Sequence, residues 1–242
     1  MIKRILSGIL LAFWTTSSAL ALSGLTQSSP HPATTEPDPA QKAHFQQAYG
    51  KLPLSFIQND GQLDKQVRFY EKGSGHATYF TAEGVTLNLT KHKTETTPTN
   101  LTAHKTPDRK SFTSEFVKLR LIKANQHPNI VAEEKQTATV NYFVGSDQKN
   151  WKTDIPTWQA VRYQQVYPGI DVRYYGNNSQ LEYDVIVQPG ADPTQVKFQY
   201  QGIKGLKITQ AGELEIKLKQ GNIVQKKPFV YQEIDEIGRA HV

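Results

Sequence analysis

Asp171 and Asp184, with Glu182 beside the second, are the residues whose type and spacing come nearest to a chemical site in this chain. Two carboxylates can divide acid and base duties in glycoside hydrolysis, or share a hard cation such as Ca²⁺. They lie in two alternating segments joined by Gly176-Asn177-Asn178-Ser179, and Asn and Gly tolerate the positive φ that a tight hairpin turn needs. If Tyr175 opposes Gln180, then Asp171 meets Asp184 and Arg173 meets Glu182 on one face. The other face is apolar throughout: Ile170, Val172 and Tyr174 against Val185, Tyr183 and Leu181. Carboxylates directly opposed are destabilising, and three arrangements relieve them: an arginine partner (Arg162 or Arg173), plain solvent exposure, or a Ca²⁺ ion held by Asp171 and Asp184.

The other candidates are weaker. Trp151 and Trp158 could form an aromatic platform for a sugar, although tryptophans of a β-domain more commonly sit in its core. Gly73-Ser74-Gly75 is too short for a nucleophile elbow and is followed by no helix. The seven histidines are isolated and mostly in polar stretches, so they are expected to be solvated and hold no metal. With no cysteine there is no disulfide, thiolate ligand or cysteine nucleophile. A non-enzymatic protein without an obligatory cofactor is expected.

The elements that must position these residues are strands. Apolar residues recur with period two and the pattern breaks at Gly, Pro and Asn every ten residues or so, predicting an all-β, antiparallel, sandwich-like domain over residues 51–235, as one unit or two small ones. Residues 91–114 (KHKTETTPTNLTAHKTPDRKSFTS) read as a mobile loop between two alternating segments. Residues 22–50, rich in Ser, Thr, Pro and Gln, read as a flexible leader.

Ahead of that leader, Lys3 and Arg4 precede an apolar run at residues 5–14 that is short for a membrane span, and Ala19-Leu20-Ala21 supplies a small-x-small cleavage pattern. Residues 1–21 are therefore expected to be a cleaved signal peptide and the protein to be exported, secreted or on the cell surface, not embedded in the membrane. The formal charge of +6 is scattered among acids, and export argues against nucleic acid as a partner. An acidic surface polysaccharide fits such a charge, although a solvated basic face explains it as well.

Several strings occur in a fixed order: Pro53-Leu54-Ser55-Phe56 with Asn59 and Gly61-Gln62, then Val140-Asn141-Tyr142-Phe143-Val144-Gly145, then Trp151-Lys152-Thr153-Asp154-Ile155-Pro156. Val166-Tyr167-Pro168-Gly169-Ile170-Asp171, Leu181-Glu182-Tyr183-Asp184, Pro189-Gly190-Ala191-Asp192-Pro193 and Lys227-Pro228 with Tyr231-Gln232 follow. Together they resemble the N-terminal domain that precedes the β-propeller repeats of bacterial SBBP-repeat proteins. The resemblance implies a surface or extracellular protein whose β-domain leads into propeller blades, with no catalytic residue to carry over. Residues 236–242 can be encoded by GAG ATC GGA AGA GCA CAC GTC, the start of a common sequencing-library adapter, so this tail is expected to be an artefact that cuts the chain short of its repeats. The function expected is a non-catalytic structural or display module; the alternative is a carbohydrate-binding module using Trp151 and Trp158.

Overall fold

The computed structural model describes residues 2–10, 54–73, 75–93, 111–177, 180–234 and 238–241, so the leader at 22–50 and the centre of the loop at 94–110 lie outside the described residues. The protein is all-β, and every strand pairing is antiparallel. The strands are β1 (Ile2–Leu10), β2 (Phe56–Gln58), β3 (Val67–Gly73), β4 (His76–Thr81), β5 (Gly84–Lys93), β6 (Ser111–Leu121), β7 (Asn129–Tyr142) and β8 (Lys152–Tyr167). They continue with β9 (Ile170–Asn177), β10 (Gln180–Val187), β11 (Phe198–Gln201), β12 (Gly205–Ile208), β13 (Leu214–Lys217), β14 (Asn222–Gln225), β15 (Phe229–Ile234) and β16 (Gly238–His241). No helix among the described residues is long and apolar enough to cross a membrane.

The sheet runs β11-β6-β5-β4-β3-β2-β8-β9-β10-β1-β14-β13-β12, with β7 on the free edge of β8 and β15–β16 beside β1. It curls until its ends meet. The turn after β13 lies against β6, where Glu115 accepts from the Lys219 and Gln220 backbone N–H groups at 2.6 and 3.2 Å and Thr113 reaches Gln220 at 2.9 Å. β11 and β12, at opposite ends of the order, are consecutive in sequence, and Gly202 between them passes so close to β6 that a Cβ would stand 2.2 Å from the Phe116 carbonyl oxygen. Inside the curl lies one core, from Phe56, Phe69, Phe80 and Val117 to Tyr174, Tyr183, Ile216 and Ile223. Alternation along β2 and β3 sends Ile57 and Tyr70 to the reverse face, where they pack with Ile155 in a second, smaller core.

Two expectations change. The hairpin keeps its faces but not its register: Asn177 pairs with Gln180, Tyr174 with Tyr183 and Val172 with Val185, two residues from the pairing expected. A slip of two leaves every side chain on its own face, so the apolar face survives, whereas Asp184 now opposes Arg173 and Asp171 opposes Ile186. The loop at 91–114 is shorter than expected, because Lys91, His92 and Lys93 pair with Thr113, Phe112 and Ser111. β8 runs through Pro156, which falls where the β7–β8 register shifts and a missing N–H is tolerated. Residues 2–10, read as part of a signal peptide, form β1 between β10 and β15 in this chain.

Candidate functional site

Three places bear on function. The first is the polar face of β7–β8–β9–β10. Arg162 on β8 and Arg173 on β9 pair directly, two like charges facing each other. Glu133 of β7 reaches both, with Oε1 at 2.7 Å from Arg162 Nε and Oε2 at 2.7 Å from Arg173 Nε. The contact to Arg162 is short but too bent for a hydrogen bond, so it is an ion pair only. Arg173 also donates to Glu134 at 2.8 Å, and Arg162 stands 3.6 Å from Asp171.

Asp171, expected to face Asp184, instead accepts from the Gln165 backbone N–H at 2.7 Å and steadies the irregular turn of β8, where Gln165 has φ +52°. Asp184 is buried and accepts from the Tyr175 hydroxyl at 3.1 Å. Burial, followed by the charges of Asp184 and Glu182, pushes the Tyr175 hydroxyl well above the usual tyrosine range, which keeps it a donor. The two aspartates thus sit on one face but diagonally, each with its own protein partner. Among the described residues no three His, Asp or Glu side chains are grouped to hold a metal ion. His76, expected to be solvated, is nearly buried and lies 3.3 Å from Glu71, which is itself buried and accepts from Thr78 at 3.1 Å.

The second place holds Trp151. Its Nε1–H donates to the Gly145 carbonyl at 3.1 Å and its ring meets Phe143 edge-on at 5.0 Å. It fastens the β7–β8 connection. Phe143 and Val144 stay more than half exposed there.

The third is a groove of about 740 Å³ between residues 58–69 and the start of β7, with Trp158 in its wall. Its apolar lining includes Phe69, Ile130, Ala132 and Trp158, and its charged lining is Lys65 and Arg68 alone. Trp158 is half-buried against the main core, and its Nε1–H is buried without an acceptor among the described residues, an unmet donor worth roughly 1–3 kcal/mol. Trp151 and Trp158 do not share this groove.

The loop carrying Lys65 is built around Asn59. Its amide donates to the Asp64 and Val67 carbonyls at 2.9 and 2.8 Å, and its Oδ1 accepts from Gly61 and Leu63 N–H at 3.2 and 3.0 Å. Gln62 ties the loop back to the Gln58 carbonyl at 2.7 Å. Lys65 and Arg68 were missed from sequence; the nearest signal was the string Asn59, Gly61-Gln62, which marks the loop without revealing what it faces.

Compared with known proteins, residues 56–242 match the family model described as "Domain of unknown function (DUF7948)". No curated protein and no solved structure matches.

Proposed function

Starting from the chain's membership of the DUF7948 family, which covers most of its length, we propose that it is a non-catalytic structural or display module of an exported protein, at the cell surface or outside the cell, leading into β-propeller repeats. The single observation that supports this best is Glu133 clamped between Arg162 and Arg173. Glu133 and the two arginines that were candidate partners for the aspartates hold three neighbouring strands together. The ordered strings that resemble the N-terminal domain of SBBP-repeat proteins, and the basic, then apolar residues 3–14, support the export and repeat assignments. Genomic sequence continuing past codon 235 into propeller repeats, with the domain open to antibody on intact cells, is the expected result; a domain found only in the cytosol would overturn the reading.

A second reading, carbohydrate binding, is favoured by the groove at Trp158, where an aromatic side chain and aliphatic lining lie beside polar groups. Trp151, tied to its own turn, belongs to this reading less than the sequence suggested. Affinity electrophoresis of the whole chain in gels containing polysaccharide tests it.

A further inference from the structure

We propose that the groove over Trp158 is a binding site for an acidic polysaccharide, with the sugar carboxylates meeting Lys65 and Arg68 and a sugar ring lying along the apolar lining. The proposal rests on the carbohydrate-binding reading and adds the chemical class of the ligand.

Charge is the first argument. Lys65 and Arg68 are exposed, and neither has an acidic partner among the described residues. Asp60 and Asp64 stand in the same loop but do not line the groove, and no other carboxylate does. Two other cavities among the described residues are lined by both signs of charge, Glu83 and Arg120 in one and Glu134 and Arg173 in the other. A groove whose only charges are two unpaired cations selects an anion, because a guanidinium and an ammonium form their strongest hydrogen bonds to carboxylate-like acceptors.

The lining is the second argument. A small free anion needs no apolar contact, whereas Ile130, Ala132 and Trp158 offer a surface suited to the C–H face of a sugar ring. The volume, about 740 Å³, has room for more than one ring. The third argument is preorganisation. Asn59 holds the Lys65 loop through four short bonds to backbone, so little loop entropy remains to be lost on binding.

The test is affinity electrophoresis of the full chain in gels carrying polygalacturonate or neutral dextran, at low and high salt, for wild type and the double variant Lys65→Gln/Arg68→Gln. Both side chains are exposed, so melting curves of the variant should match wild type. The expected result is retardation by polygalacturonate that fades with salt, no retardation by dextran, and roughly tenfold or greater weakening in the double variant. Equal retardation of wild type and variant would mean that the polyanion is held elsewhere on a basic surface, and the proposal falls. Retardation by dextran alone would keep the carbohydrate reading and overturn the acidic class. Retardation by neither polymer overturns both.

Discussion

Arg162 and Arg173 stand directly opposite each other across β8 and β9, and one carboxylate, Glu133, gives an oxygen to each. Opposed like charges destabilise a sheet, and here the third strand supplies the charge that makes the pair tolerable. Replacing Glu133 with Gln should therefore cost about 1–2 kcal/mol, partly through a lost partner and partly through repulsion between the two guanidinium groups. That second part is screened by salt, so the deficit relative to wild type should shrink in 1 M NaCl, where charges a few ångströms apart are strongly screened, about 3 Å being the Debye length. Urea melts at two salt concentrations measure this. A deficit that ignores salt would show that the arginines are not repelling each other.

The revised register bears on Asp184. Its partner is the Tyr175 hydroxyl, and Asn retains an oxygen that can accept the same bond. Asp184→Asn should lose about 1 kcal/mol, by the same amount with CaCl₂ or with EGTA. Thermal melts in the two buffers decide it: a loss seen only with calcium would bring back a cation shared with Asp171.

Tyr183 lies at the centre of the core, 2% exposed, tilted against Tyr174 at 5.7 Å and Phe198 at 5.1 Å. Tyr183→Ala should cost about 3–5 kcal/mol through lost burial and a cavity. Its hydroxyl accepts from Gln225 Nε2 at 2.6 Å, and Gln225 also takes the Tyr200 hydroxyl, so Tyr183→Phe removes one bond from a buried chain and should cost about 1–2 kcal/mol. Denaturant midpoints separate the two substitutions. A Tyr183→Phe midpoint equal to that of wild type would mean that the hydroxyl contributes nothing.

Burial raises the hydroxyl pKa of Tyr163, Tyr174 and Tyr200 above the 10.0 of a free tyrosine. In the unfolded chain each ionises near that value, whereas in the fold each stays neutral. The stability they contribute is complete below pH 10 and declines as the pH rises toward their folded values, by at most about 1.4 kcal/mol per pH unit for each tyrosine. Stability measured between about pH 9 and pH 12 should fall with a slope that Tyr163→Phe makes shallower. A slope untouched by that substitution would assign alkaline unfolding to other groups.

What the sequence determined by itself was which residues face inward. Period-two alternation is a local property, because successive side chains on a strand point to opposite sides whatever the strand pairs with, and so the apolar face of β9 and β10 was legible in full. Register was not, because a slip of two residues leaves that pattern unchanged while it exchanges Asp171 for Arg173 opposite Asp184. The partner strands were less legible still. β8 bonds β2 at Thr157 and Trp158 and β9 from Ala160 onward while holding β7 along its other edge, a sharing settled by curl and by a proline at a register shift. The groove is the extreme case. Lys65 with Arg68, Ile130 and Trp158 belong to three separate stretches of chain, each unremarkable alone, and only the packing of β7 and β8 against the Asn59 loop gathers two unpaired cations around an indole.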